Sequence, residues 1–197
     1  THALTDAQQS ALTDALRRLF AVPVPDGLPV RANDLLTFQA RLIPQLLDPQ
    51  NLGVCRDMAT VEHAIDTAVP WLQAHPPNEA WIVDAVLARG DGNLDNVIWD
   101  GQTARLVDWE EFGVSDLAYE VADVIEHASA RLERRLDIPT FLSSLTLSGE
   151  QRDRLDRFRR VFACFWLTML LPGRPAWRRN PPGSTEDQAR HVIELLA

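Results

Sequence analysis

No lysine occurs anywhere in the 197 residues, so all 19 basic side chains are arginine. That absence excludes a lysine nucleophile, a Schiff base and a phosphate-gripping lysine within these residues. Cysteine is scarce as well. Cys55 and Cys164 lie far apart with no metal-ligand spacing around them, which reads as free thiols in a reducing compartment. No apolar run approaches the roughly 20 residues that a bilayer span needs, and the first residues lack a signal-peptide pattern. The expected location is therefore the cytoplasm, with no membrane partner. The nine glycines nowhere form a G-x-G-x-x-G pattern. Positive charge is also in short supply: 28 acidic residues against 19 arginines give a formal net charge of −9. A surface of that sign disfavours nucleic acid as a partner and tolerates a cationic one. The one local exception, 174–179 with Trp177 inside it, reads as a solvated Pro-rich loop rather than a nucleic-acid patch.

What is present is the balance of a soluble globular protein, 46% hydrophobic and 24% charged. That is enough for one domain, or for two small subdomains. Thr5 and Gln8 form a capping box ahead of Leu12, Leu16 and Leu19, which predicts a helix over 5–20. A Pro-rich link covers 23–29. A second helical pattern spans 33–47, with Leu35, Phe38, Leu42 and Leu46 on one face and Pro44 placed to bend or shorten it. A third begins near 60 and carries Val61, Ala64, Ile65, Ala68 and Leu72. Short apolar runs at 85–88, 97–99 and 104–107 follow, the last two separated by Asp100-Gly101, a strong hairpin signal. A helix is then expected over 116–130, with Leu117, Val121, Val124 and Ile125 inward. Ser148 and Gln151 open a long helix with Leu155, Phe158, Phe162, Phe165 and Met169 in its buried stripe, stopped by Pro172-Gly173. Thr185 and Gln188 are read as the cap of a last helix. The predicted fold class is mainly α with a small central β-hairpin element.

The informative residues flank that hairpin. Residues 89–96 read RGDGNLDN and 106–111 read LVDWEE. Paired strands lie about 4.8 Å apart, so a hairpin brings its two ends, and with them Asp91, Asn96 and Asp108, into one small volume. Phosphoryl transfer asks for that inventory. One aspartate accepts the proton of the attacking hydroxyl, while an Asn and a second Asp supply hard oxygen ligands for magnesium. The five-residue step from Asp to Asn, followed by a hairpin to an Asp, matches a kinase-type arrangement.

The stretch RGDGNLDNVIWDGQTARLVDWEEFGVSDLAYEVADVIEH resembles the HGDxxxxN…VDWE…DxAYxxA signature of the aminoglycoside phosphotransferase (kinase-like) family. The match is specific over 85–127; the preceding helices fit the family's helical lobe in length and order. The resemblance implies the helical C-terminal lobe of a protein-kinase-like α+β fold, with a helical core over 1–84 and 116–197 and a catalytic segment over 85–115. It also implies transfer of the γ-phosphate of ATP, or of another NTP, to a hydroxyl of a small molecule. Asp91 would be the base, Asn96 and Asp108 the Mg²⁺ ligands, and Asp116 the start of a helix supporting the site. Glu110 and Glu111, next to the metal ligand, are candidates for binding a cationic, aminoglycoside-like substrate. Glu120 and Asp123 are read as a solvated face in preference to that role.

Two departures from the family pattern stand out. Arg89 occupies the position of a loop-buttressing His, and is expected to pair with Asp91 or Asp108 and alter the loop. The family's N-terminal nucleotide lobe, with its phosphate-covering loop and lysine, has no counterpart. The chain is thus expected to be a C-terminal fragment, inactive alone, taking nucleotide only through the missing lobe and self-associating through the exposed seam. These departures also support an alternative reading, a non-catalytic, pseudokinase-like lobe that binds a small molecule or partner. A metal-dependent hydrolase would need more converging carboxylates. His2, His63, His75, His127 and His191 show no ligand spacing and are read as structural or surface residues.

Overall fold

Local capping fixes most element ends in the computed structural model, which describes residues 2–49, 51–133 and 135–197. In chain order the elements are α1 (Asp6–Phe20), α2 (Leu35–Leu47), α3 (Met58–Ala74), β1 (Ala85–Ala88), β2 (Val97–Trp99), β3 (Ala104–Leu106) and β4 (Gly113–Asp116). Then follow α4 (Leu117–Glu126), α5 (Ala128–Arg131), α6 (Ile138–Ser144), α7 (Gly149–Leu170), α8 (Pro175–Arg179) and α9 (Ser184–Leu196). The capping box at Thr5 forms as expected, with the Gln8 amide hydrogen donated to Thr5 Oγ1 and Gln8 Oε1 accepting from the Thr5 amide. Ser148 and Gln151 make the same reciprocal pair before α7. Helix α2 runs through Pro44 to Leu47, so that proline does not shorten it. Pro44 has no N–H to offer the carbonyl four residues back, but that residue, Ala40, is exposed.

Two compact units divide the chain. The first comprises residues 1–34 and 80–159; the second comprises 35–79 and 160–197. In the second, α3 packs on α9 and α2, and Phe38 meets the rings of Phe162 and Phe165 at 5.1 and 4.5 Å. The expected cap of α9 is not made. Its N-cap is Gly183, while Thr185 donates to Leu170 O and Gln188 to Ala163 O. Helix α9 starts at Ser184, so Thr185 stands inside its first turn rather than at the cap, and both side chains are buried against α7. Residues 175–179 form the short helix α8, started by Pro175, instead of a loop, although Trp177 stays exposed.

In the first unit, α1 packs on β1, β3 and α6, and Trp81, Tyr119 and Phe158 form an aromatic cluster with centroids 4.9 and 5.3 Å apart around Tyr119. Burial of each such ring stabilises the fold by about 2 kcal/mol. The β element is larger than the expected hairpin. β2 pairs with β3 antiparallel, in the register Val97↔Leu106 to Trp99↔Ala104, and β1 pairs with β4, Ala85↔Asp116 to Ala88↔Gly113. Strand β4 was not expected because GVSD has neither alternation nor an apolar run; its pairing with β1 holds it. The link before α2 joins from the other side, with Val114 N donating to Pro29 O at 2.8 Å and Arg31 N to Val114 O at 3.0 Å. The helix expected over 116–130 is two helices, because His127 takes an extended ψ of 141° and caps α5 with its own ring.

Candidate functional site

The two arms of this nested hairpin part between its ladders. Residues 89–96 leave one arm and 107–112 the other, at the same level, since β1–β4 closes below them and β2–β3 above. Pairing on both sides forces the two unpaired stretches to face each other. Two glycines permit the packing. Gly90 has φ +93° and a Cβ there would overlap the Glu111 backbone; a Cβ on Gly92 would overlap the Asp123 carbonyl of α4. Asp108 itself has φ 64°, a left-handed conformation that Asp enters at less cost than most residues.

The side chains converge. The Asn96 amide Nδ2 donates to Asp91 Oδ2 at 2.7 Å and to Asp108 Oδ2 at 3.2 Å, which ties the expected base to both expected metal ligands. Asp91 Oδ1 accepts from the Asn93 amide at 2.9 Å. Asp91 is half-buried and Asp108 exposed, so the group opens to solvent through Asp108. With its amide hydrogens shared by the carboxylates, Asn96 keeps its amide oxygen as a further hard donor. No cluster of three His, Cys, Asp or Glu at metal-binding spacing exists among the described residues. A magnesium ion does not require one, since it is commonly held by one or two carboxylates, with phosphate and water completing its shell. An amide oxygen beside two carboxylates fits that ion.

Arg89 behaves differently from the expectation. It is buried, and it pairs with neither carboxylate. Its guanidinium donates to four backbone carbonyls, those of Asp91, Asn93 (3.2 Å), Asn96 (2.9 Å) and Val107 (3.4 Å). Five N–H donors in a planar fork can serve carbonyls on both arms at once, where a His could serve one or two. Burial lowers the Arg89 pKa, and the carboxylates of Asp91, Asp123, Glu120 and Asp108 work against that fall.

Asp116 is fully buried and satisfies five groups. Oδ1 caps α4 through the amides of Ala118 (3.0 Å) and Tyr119 (3.4 Å). Oδ2 accepts from the Val83 and Asp84 amides and from Arg154 Nη2 at 2.6 Å. This fixes α4 to the segment entering β1. Glu111 accepts from the Asn33 amide group and is half-buried, whereas Glu110 is exposed. Beyond Asp108, Trp109 and Phe112 are exposed at 41% and 36% and meet edge to face at 5.8 Å.

Glu120 and Asp123 are neither a solvated face nor open to a substrate. Both are buried against Arg31, whose Nη1 lies 2.6 Å from Glu120 Oε1 and 3.1 Å from Asp123 Oδ2, while Nη2 donates to Gly90 O. Burial alone would lower the Arg31 pKa; Glu120 and Asp123 outweigh it and raise the pKa. Asp123 is pushed up to about 7, chiefly by burial, with Arg31 opposing and Glu120 adding to the rise. Arg31 was not recognisable in the sequence because its partners lie about ninety residues away. His127 was read as structural or surface, yet its Nε2 lies 3.8 Å from Asp91 Oδ1.

Residues 1–155 match the sequence profile described as the phosphotransferase enzyme family. No curated protein sequence matches the chain. Among solved structures, a choline/ethanolamine kinase family protein from Mesorhizobium loti superposes with a TM-score of 0.57 at 16% identity, covering 97% of this chain and 63% of that one. A thermostable mutant of aminoglycoside phosphotransferase APH(4)-Ia, in apo form, gives 0.56 at 16% identity, covering 97% and 67%. A ternary complex of a thermostable mutant of the same enzyme with AMP-PNP and hygromycin B gives 0.52 at 16%, covering 98% and 68%. The chain thus spans less than two thirds of the first of these, and shares with all three the helical, protein-kinase-like fold.

Proposed function

The chain belongs to the phosphotransferase enzyme family, and from that premise we propose that it transfers the γ-phosphoryl group of ATP, or of another NTP, to a hydroxyl of a small molecule. The observation that carries this reading is the Asn96 amide bridging Asp91 and Asp108. Asp91 is the general base. Held by Asn93 and Asn96, its carboxylate is oriented to take the proton of an acceptor hydroxyl as the oxygen attacks phosphorus. Asp108 and the Asn96 amide oxygen would hold magnesium, whose charge would offset that of the phosphates. Arg89 fixes the mutual position of the two arms through their carbonyls, and so the distance between base and metal ligands.

The acceptor reading is a cationic compound. Glu111 is engaged by Asn33, so Glu110 is the acid left facing outward beside the exposed Trp109–Phe112 pair. An acid next to aromatic faces suits an ammonium group. The complex of a structural neighbour with hygromycin B supports a hydroxyl-bearing acceptor of this type. Without a lysine to grip the α- and β-phosphates, residues 1–197 are inactive alone in this reading, and nucleotide grip comes from outside them. The test is turnover of the natural full-length protein on a panel of hydroxyl compounds with Mg-ATP. Asp91→Asn is expected to keep nucleotide affinity and lower turnover by roughly 10² to 10⁴. Near wild-type turnover in that variant would remove Asp91 from the role of base.

A further inference from the structure

The His127 ring is hydrogen-bonded through Ser129 to the backbone of the Asp91 loop, and its far edge faces the Asp91 carboxylate. The Ser129 amide donates to His127 Nδ1 at 3.1 Å, and a backbone N–H can only donate. Nδ1 therefore carries a lone pair, and in the neutral ring the single proton sits on Nε2. Ser129 Oγ lies 2.8 Å from the same Nδ1 and accepts from the Leu94 amide at 2.9 Å, which leaves its own hydrogen for Nδ1. Leu94 belongs to the loop that carries Asp91. The chain of contacts thus runs from the loop backbone through Ser129 and His127 back to the loop carboxylate. Protonating Nδ1 would break both contacts it accepts. Burial lowers the ring's pKa to about 4; Asp91 and Asp95 oppose this, while Arg89 and Arg135 add to it.

We propose that His127 is a positioning residue for Asp91, presenting Nε2–H to Oδ1 and leaving Oδ2 as the oxygen that receives the substrate proton. This rests on the reading of Asp91 as the base. Oδ1 accepts from the Asn93 amide and lies 3.8 Å from Nε2, so it is the oxygen turned toward the protein's donors. Oδ2 accepts only from Asn96 among the described residues, which keeps one lone pair for an incoming hydroxyl. At 3.8 Å the Nε2–Oδ1 approach is longer than a hydrogen bond. Contacts of this kind shorten when substrate fills a site. The role differs from that of Arg89, which touches only backbone oxygens around the carboxylate.

Two substitutions separate positioning from structure. His127→Asn keeps an acceptor for the Ser129 amide, as an N-cap should, and removes the donor toward Asp91. His127→Gln keeps a donor near the Nε2 position and loses the cap. In the full-length protein, His127→Asn is expected to lower kcat on the order of tenfold with KM and melting temperature unchanged. His127→Gln should hold kcat within about threefold while lowering the melting temperature. Wild-type kcat in His127→Asn, or equal losses of kcat in both variants, would overturn the proposal. A second readout needs no turnover: ¹⁵N chemical shifts of His127 in the 197-residue chain at neutral pH. A protonated Nε2 with an unprotonated Nδ1, and an Nε2 shift that moves on Asp91→Asn, is expected; the opposite tautomer would overturn the proposal. Failure of the base assignment would instead show as retained turnover in Asp91→Asn alone, with the His127 tautomer unchanged.

Discussion

Arg89 stands where a His was expected, and its removal separates a damaging substitution from a structural keystone. Replacing it by Met keeps most of the stem and deletes the guanidinium. Two of its four carbonyl partners keep another donor: Asn96 O accepts from the Val107 amide at 3.0 Å, and Asn93 O from the Asn96 amide at 3.2 Å. The carbonyls of Asp91 and Val107 have no other donor among the described residues. A buried acceptor left without a partner costs about 1–3 kcal/mol. Asp91 and Val107 are half-buried, so the two together amount to at most about 2–6 kcal/mol, reduced by the desolvation that the buried cation no longer incurs and by any water that enters. A net loss of about 2–3 kcal/mol is therefore expected for Arg89→Met, a fall of roughly 5–10 °C in melting temperature for a chain of this size. Urea unfolding with linear extrapolation measures it directly. Arg89→His, which restores the family residue, should also destabilise, by about 1–2 kcal/mol, because an imidazole reaches at most two of the carbonyls. Its turnover in the full-length protein should fall, contrary to what the sequence comparison alone suggests. If Arg89→Met unfolds within 0.5 kcal/mol of wild type, roughly the spread of inert surface substitutions, the guanidinium does not hold the two arms together.

Asp108→Asn removes the exposed, charged member of the proposed metal-binding pair, so residual turnover in the full-length protein should demand several-fold more magnesium. In the 197-residue chain, Mn²⁺ should broaden the amide resonances of residues 96 and 108 in wild type and far less in this variant; equal broadening would move the metal elsewhere. Asp123 provides the pH test. Its native pKa is raised to about 7 against an ordinary 3.8. Between those values the native state keeps a proton that the unfolded chain has lost, so its contribution to stability declines as pH rises from about 4 to about 7. His127, lowered to about 4, acts with the opposite sign over pH 4 to 6.5, which is why the comparison must be made against a variant. The stability of wild type minus that of Asp123→Asn should fall by a few kcal/mol across this window; a flat difference would mean that Asp123 ionises normally beside Arg31.

The helices were legible wherever a cap and an apolar stripe coincided. Thr5 and Ser148 announced α1 and α7, and Leu35, Phe38, Leu42 and Leu46 are buried along α2 as their spacing required. The same signal misled at Thr185, because the helix begins before it, at Ser184, and the Thr and Gln side chains turn to carbonyls of α7. Helix α6 was missed although Asp137 caps it and Pro139 lies in its first turn; seven residues are too few for periodicity to register. Strand β4 carries no local signal at all. It exists because β1 and the Pro29–Arg31 backbone supply its partners.

The proposed catalytic triplet was legible for a topological reason, and its supports were not, for the same reason. Asp91, Asn96 and Asp108 lie on the two arms of one hairpin, so local pairing alone brings them together within eighteen residues. Arg31, Glu120, Asp123 and His127 reach the loop from elements whose docking depends on tertiary packing, and a single sequence does not encode which charged residue will meet which. The charges of Glu120 and Asp123 were read as solvated because most helix carboxylates are. What reverses that average is one arginine delivered by a link that runs beside β4, close enough to bond both acids and the Gly90 carbonyl at once. Arg89 grips the loop from below through four carbonyls, and Arg31 grips it from the α4 side through Gly90. A loop held by two buried cations can keep the carboxylate of Asp91, the proposed base, half-exposed without losing its shape, and that combination of rigidity and access is what a general base requires.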